Sequence, residues 1–107
     1  MPHPAAILVI TTAGSHDEAA TIAASVVDAR LAACVQIVPN VESVYRWEGR
    51  VVTEHEWLLL CKTTAECYPA LERTIRDVHS YTTPEVVAIP IDRGSPEYLA
   101  WLAESTQ

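Results

Sequence analysis

Two long strand-like segments meet at a tight turn in the middle of the chain. Every second residue of the first segment shares one face, namely Val41, Ser43, Tyr45 and Trp47. Glu48-Gly49 then forms the turn, and residues 51–62 return as a second long strand. A period of two residues on each side of a short turn predicts a long antiparallel β-hairpin. Because Pro39 interrupts the first strand and lacks an N–H donor, we expect a bulge or bend there.

The segments on either side of this hairpin alternate between strand and helix patterns. They are a buried strand over residues 5–12, helices over about 15–30 and 65–79, a core strand over 85–91 and a short terminal helix capped by Ser95. Ser15 can cap the first helix while Glu18, three residues on, bonds back to it. The order of elements is therefore strand, helix, strand, strand, helix, strand, helix.

This order predicts an α+β fold of the ferredoxin-like βαββαβ class, with a long central hairpin and an added C-terminal helix. We expect residues 1–107 to form a single domain, since only short turns separate the elements. Two helices cover one face of such a sheet and leave the other bare, although the hairpin carries Trp, Tyr and Val there. An uncovered patch of this kind is rare on a soluble monomer, so we expect self-association.

Charge and composition exclude several kinds of partner. Fourteen acidic residues against seven basic ones give a net charge of −7 at pH 7, and no run of Lys or Arg occurs, which excludes nucleic acid. Apolar stretches such as residues 57–61 are far shorter than the roughly 20 residues of a membrane-spanning helix. Residues 1–4 carry no visible secretory signal. The chain has three cysteines, Cys34, Cys61 and Cys67, an odd number that does not suit a framework of paired disulfides. We therefore expect reduced thiols and a cytoplasmic location.

Four short segments carry the most distinctive sequence of the chain. They are residues 31–39 (LAACVQIVP), 43–49 (SVYRWEG), 79–85 (HSYTTPE) and 98–102 (YLAWL). In this order and spacing the chain resembles the CutA family of divalent-cation tolerance proteins, over most of its length. The resemblance implies a cytoplasmic homotrimer of ferredoxin-like subunits, related in structure to the PII signal proteins. It also implies a role in tolerance of copper and other divalent metals, with no established enzymatic reaction.

The resemblance leaves two candidate metal ligands, Cys34 and His79. Thiolate and imidazole suit copper or zinc, so a divalent metal is a possible ligand without being an obligatory cofactor. Copper-binding members of the family have a Cys where this chain has Thr11, and can have two successive histidines where it has Val78-His79. An alternative is that Cys34 is only a small core residue on an apolar strand.

Five residues in or near the same segments form a second candidate site: Tyr45, Trp47, Lys62, Tyr81 and Glu85. They can be aromatic anchors of a subunit interface. They can equally line a polar cleft between subunits, in which Lys62 and Glu85 orient a small ligand between aromatic walls. The chain lacks a glycine-rich phosphate loop, a GxSxG elbow and an HExxH motif, so we do not expect an enzyme.

Three functions follow from this pattern of residues and resemblance. The first is a trimeric tolerance protein that binds divalent metal or a small ligand weakly at clefts between subunits. The second is a PII-like signalling protein that binds a nucleotide or metabolite, although the short Glu48-Gly49 turn stands where PII proteins have a long loop. The third is a stable trimeric scaffold without catalysis.

Overall fold

Four strands form one antiparallel sheet in the order β2-β3-β1-β4 in the computed structural model, which describes residues 5–106. In chain order the elements are β1 (Ala6–Ala13), α1 (His16–Asp28), β2 (Cys34–Trp47), β3 (Arg50–Thr64), a 3₁₀ turn (Ala65–Cys67), α2 (Tyr68–Val78), β4 (Val87–Pro90) and α3 (Pro96–Glu104). The predicted ferredoxin-like α+β fold, with its long hairpin and C-terminal helix, is confirmed. A single domain over residues 1–107 stays a prediction, and residues 1–4 lie outside the described part.

The central hairpin has the turn and the bulge that its sequence predicts. Glu48 and Gly49 both adopt positive φ angles, 51° and 78°, as a two-residue turn between twisted strands requires. The pairing register of β2 with β3 shifts between Val38 and Val41, where Asn40 also has a positive φ of 58°. The bulge thus lies at the Pro-Asn interruption, because Pro cannot donate to the ladder.

The far half of the hairpin projects beyond the rest of the sheet. β1 pairs with β3 only between Trp57 and Thr64, whereas β2 pairs with it as far as Arg50. Residues 41–56, called here the hairpin arm, therefore extend past the end of β1 by roughly 20 Å at about 3.3 Å per residue. This extension accounts for the elongated subunit, which measures 50 × 25 × 22 Å.

One face of the sheet packs against α1 and α2 to form the core. Its fully buried side chains include Val9, Leu59, Cys61, Ile22, Val26, Leu71 and Ile75. Burial raises the pKa of the Cys61 thiol to about 12, so this cysteine is a core residue rather than a reactive one. Ser15 caps α1 by accepting a hydrogen bond from the Glu18 N–H, and Ser95 caps α3 in the same way from Tyr98.

The opposite face of the sheet carries a continuous set of apolar side chains. The strand register places on it Leu8, Ile10, Val38, Leu58, Leu60, Val87 and Ile89, which are called here the open face. Ile89 is 48% exposed and Val87 47% exposed. The expected uncovered face is therefore confirmed for the single subunit.

β4 is shorter than the predicted strand over residues 85–91. It spans only Val87–Pro90 and pairs with residues 7–10 of β1. The preceding residues instead cross the end of β1, where the His79 ring bonds to the Thr12 carbonyl, so they cannot continue the ladder. Within residues 5–106, no helix combines the length and the apolar content needed to cross a bilayer.

Candidate functional site

A cleft of about 810 Å³ lies where the hairpin arm leaves the sheet. One wall comes from the arm, and the other comes from Thr12 and the loop of residues 80–85. The cleft collects four of the five predicted cleft residues, namely Tyr45, Trp47, Tyr81 and Glu85. It also contains Glu54 and Glu56, which were not among the predicted site residues.

Glu56 forms the floor of this cleft together with Tyr81. Glu56 is only 5% exposed, and its Oε2 accepts a hydrogen bond of 2.7 Å from the Tyr81 hydroxyl. Burial, and then this bond, raise the pKa of Tyr81, so the phenol stays protonated and keeps donating. A Cβ on Gly14 would lie 3.1 Å from the Tyr81 oxygen, a tight contact that Gly14 avoids by having no side chain.

His79 holds the loop against the end of β1. Its side chain is fully buried, and its Nε2 lies 2.6 Å from the Thr12 carbonyl oxygen. Because a carbonyl only accepts, Nε2 carries the proton, and Nδ1 accepts from the Tyr81 N–H at 3.0 Å. Both ring nitrogens are therefore engaged in hydrogen bonds. In this arrangement the imidazole positions the loop and has no lone pair to offer a metal ion.

Glu18 fixes the start of the same loop. Its Oε2 accepts from the Ser80 N–H at 2.7 Å, and its Oε1 accepts from the Gly14 N–H at 3.4 Å. The expected bond back to Ser15 is replaced by these contacts, because the loop brings Ser80 closer. Burial alone raises the pKa of Glu18, but the hydrogen bonds from Ser80 and Gly14 outweigh it and lower the pKa.

We expect a Glu18→Gln substitution to reduce stability in a pH-dependent way. A carboxyl whose pKa is lowered on folding stabilises the protein above its unfolded pKa of about 4.5, and this contribution disappears as pH falls. Losing hydrogen bonds to a charged acceptor should cost about 1–3 kcal/mol near neutral pH. Urea unfolding from about pH 7 to about pH 3 should show the difference from wild type shrinking as the pH falls.

The control for that experiment is Glu66→Gln, which removes an exposed carboxylate from the 3₁₀ turn. This variant should unfold like wild type at every pH. A wild-type advantage over Glu18→Gln that stayed constant down to the acid end would contradict the assigned role.

The two predicted metal ligands do not converge within one subunit. Cys34 pairs with Lys62, whereas His79 bonds to Thr12, whose own partner on β3 is Leu58. Four residues along a strand separate these positions by roughly 13 Å. Over the described range 5–106, no cluster of three or more His, Cys, Asp or Glu residues is arranged to hold a metal ion.

The chain departs from copper-binding members of the family at Thr11 and Val78, and these two residues lie in different surroundings. Thr11 is fully buried on the helix-covered face, and its hydroxyl has no hydrogen-bond partner in the described structure. Val78 is 41% exposed at the end of α2. Neither side chain supplies the sulfur or nitrogen ligand that copper prefers.

Lys62 does not line this cleft of the single subunit, so its predicted place beside Glu85 in a cleft between subunits stays a prediction. Its Nζ donates a 2.7 Å hydrogen bond to Gln36 Oε1 and stands 5.7 Å from the centre of the Tyr98 ring. It points to the open-face side of β3, six residues from Glu56, which corresponds to roughly 20 Å along the strand. The Lys62 ammonium group therefore has its contacts near α3, at the other end of the sheet from the cleft.

Glu54 and Glu56 could have been found from the sequence by the strand period alone. The register pairs Ser43 with Glu54 and Val41 with Glu56, so both carboxylates share the face of Tyr45. Burial raises the pKa of the Tyr45 phenol, and the nearby Glu54 carboxylate raises it further. The alternation of residues along the strands does not predict that the loop of residues 80–85 covers this face.

Known proteins resemble this chain over nearly its whole length. A family model described as CutA1 divalent ion tolerance protein matches residues 7–105. The divalent-cation tolerance protein CutA of Thermus thermophilus is 50% identical over 99 residues, which are 92% of this chain and 96% of that protein. The crystal structure of CutA1 from Oryza sativa has a TM-score of 0.95 at 42% identity, covering 98% of this chain and 96% of the other.

Two further similarities concern cellular location. The Archaeoglobus fulgidus structure, at a TM-score of 0.92 and 37% identity over 95% of this chain and 99% of the other, is described as a periplasmic CutA. The chloroplastic CutA 1 of Oryza sativa is 44% identical over 101 residues, or 94% of this chain, which spans 57% of that protein's length. The expected cytoplasmic location is therefore wrong. Free cysteines describe the folded chain and do not encode the compartment in which it resides.

Proposed function

This chain belongs to the CutA1 divalent ion tolerance family, and from that membership we propose a non-catalytic homotrimer that binds divalent cations weakly in its clefts. Its relatives are named divalent-cation tolerance proteins, a name that describes a response to metal ions and not a reaction. The binding mode and the assembly are the parts proposed for this chain.

The observation that supports the proposal is the charge of the cleft. Its described lining includes Glu54, Glu56 and Glu85 and contains no Lys, Arg or His. Such a site attracts cations and repels phosphate, so it gives the alternative of a nucleotide-binding PII-like protein no support. Carboxylate and hydroxyl oxygens suit manganese, magnesium or calcium better than copper. We therefore propose these carboxylates as metal contacts, in place of Cys34 and His79.

The proposed trimer follows from the open face and the hairpin arm. Half-exposed Val87 and Ile89 adjoin Leu8 and Ile10 on one continuous apolar surface. Covering this surface with a second and third copy would remove it from water. The arm projects far enough to reach a neighbouring subunit, and residues from that neighbour would complete a set of metal contacts that residues 5–106 of one subunit lack.

Calorimetric titration of metal-free protein with manganese and with copper tests the site. We expect saturable manganese binding by wild type, and at least about fivefold weaker binding by the double variant Glu54→Gln/Glu85→Gln, because two negative ligands are lost. Cys34→Ser should bind manganese as wild type does. The fold should be unaffected, since Glu54 and Glu85 are both exposed.

The matched control is Glu66→Gln/Glu97→Gln, which changes the net charge equally at exposed positions away from the cleft. It should retain manganese binding. Metal binding that is lost in Cys34→Ser but kept in the cleft variant would refute the proposed site, and so would the absence of saturable binding by wild type.

A further inference from the structure

Glu56 is a buried carboxylate that has no cationic partner in the described subunit. Glu56 is only 5% exposed, yet none of the ion pairs among residues 5–106 includes it. Its Oε2 accepts from the Tyr81 hydroxyl, and no described residue donates to its Oε1, which keeps some contact with solvent because Thr11 Oγ1 is the only fully buried unpaired side-chain atom of the described residues. A carboxylate that is mostly shielded from water interacts more strongly with a positive charge than one in bulk solvent, so a cationic group beside Oε1 would be attracted there.

The space next to Glu56 has aromatic walls. Tyr45, Trp47 and Tyr81 line the same cleft, and in the single subunit Tyr45 is 38% and Trp47 49% exposed. The negative faces of aromatic rings attract ammonium groups, while their apolar surface packs against carbon chains. A small hydrated metal ion uses the charge of such a site but not its aromatic surface. The combination therefore favours an organic cation.

Hydrogen bonding narrows the kind of organic cation. A primary ammonium has three N–H donors, whereas a quaternary ammonium has none. The cleft offers acceptors in Glu56 Oε1, the Glu54 carboxylate and the Ser43 hydroxyl, together with the loop hydroxyls. Its volume of about 810 Å³ falls in the range of small-molecule sites.

We propose that the cleft binds a small protonated primary amine, with the ammonium group at Glu56 Oε1 and the carbon chain against Tyr45 and Trp47. Tyr81 acts as a positioning residue, since its hydroxyl donates to Oε2 and leaves Oε1 free to accept from the ligand. This inference rests on the proposed function only because both use the same cleft. It needs no bound metal.

The test is a titration of the intact, metal-free protein with butylammonium chloride in phosphate buffer, followed by calorimetry and by tryptophan fluorescence. We expect saturable binding, and binding at least about tenfold weaker in Glu56→Gln, because a charge-assisted hydrogen bond becomes a neutral one. Butanol, the neutral analogue, should not bind. Glu42→Gln, which alters an exposed residue on the opposite side of the arm, should bind butylammonium like wild type.

A second measurement separates loss of binding from loss of folding. Without ligand, Glu56→Gln should melt at the same temperature as wild type or higher, because the amide can still accept from Tyr81 and carries no buried charge. A lower melting temperature would mean that the Glu56 carboxylate is already stabilised without ligand, which would overturn the inference. Equal butylammonium binding by Glu56→Gln and wild type would overturn it too.

Manganese titration distinguishes this failure from failure of the proposed function. Wild type that binds manganese but not butylammonium would refute the amine site and leave the divalent-cation proposal standing. Wild type that binds butylammonium but not manganese would refute the divalent-cation proposal and leave the amine site standing.

Discussion

An Ile89→Asp substitution should convert the assembled protein into folded single subunits. Ile89 lies on the open face opposite Leu8 and is 48% exposed in the subunit, so a carboxylate there remains solvated when the subunit is alone. In the proposed trimer the same carboxylate would be buried against a neighbour, at an effective cost of several kcal/mol. Because each trimer contains three copies of the substitution, assembly should be lost rather than merely weakened.

Sedimentation equilibrium measures this outcome directly. Wild type should give three times the 11.7 kDa subunit mass, and Ile89→Asp should give the subunit mass itself. The circular dichroism spectrum should be retained, because Ile89 is not part of the helix-covered core. The control is Val27→Asp, which introduces the same charge at a 41% exposed position on α1 and should leave the mass unchanged.

Two results would contradict the proposed assembly. One is a wild-type protein that sediments as a single folded subunit at micromolar concentration. The other is an Ile89→Asp variant that keeps the wild-type mass. Either would mean that the open face is not an interface between copies of this chain, and that the cleft is not completed by a neighbour.

Leu59→Ala should cost far more stability than Leu60→Ala, although the two residues are adjacent. Leu59 is fully buried among the side chains of the helix-covered core, whereas Leu60 is half-buried on the open face. Truncating a buried leucine costs about 2–5 kcal/mol, because it removes apolar contacts and leaves a cavity. The Leu60 side chain keeps part of its contact with water, so its truncation should cost about 1 kcal/mol in an isolated subunit.

The comparison requires a background in which assembly does not contribute to stability. Both substitutions should therefore be made in the Ile89→Asp protein and measured by urea unfolding, since binding between subunits raises apparent stability by mass action. In the otherwise wild-type protein, Leu60→Ala should also weaken association. Equal losses for the two leucines in the single subunit would contradict the assignment of the two faces.

The sequence predicted those features that depend on neighbours along the chain. The two-residue period on each side of Glu48-Gly49 defined the hairpin, and Pro39 located its bulge. Ser15 and Ser95 located the starts of two helices. Such turns, caps and periods involve residues a few positions apart, so local stereochemistry is enough to specify them. The candidate cleft residues Tyr45, Trp47, Tyr81 and Glu85 lie around one cleft of the subunit, and their role as a binding site stays a prediction.

Only the tertiary structure decided which distant side chains meet. Tyr81 bonds to Glu56, 25 residues away, and His79 bonds to Thr12, 67 residues away. Both contacts depend on the loop of residues 80–85 crossing the end of β1, while strand register carries Cys34 and Lys62 to the other end of the sheet. Local preferences do not encode register between distant strands or the path of a loop, because the packing of the whole subunit selects them. That packing made His79 a support for the loop and left a carboxylate buried at the floor of the cleft.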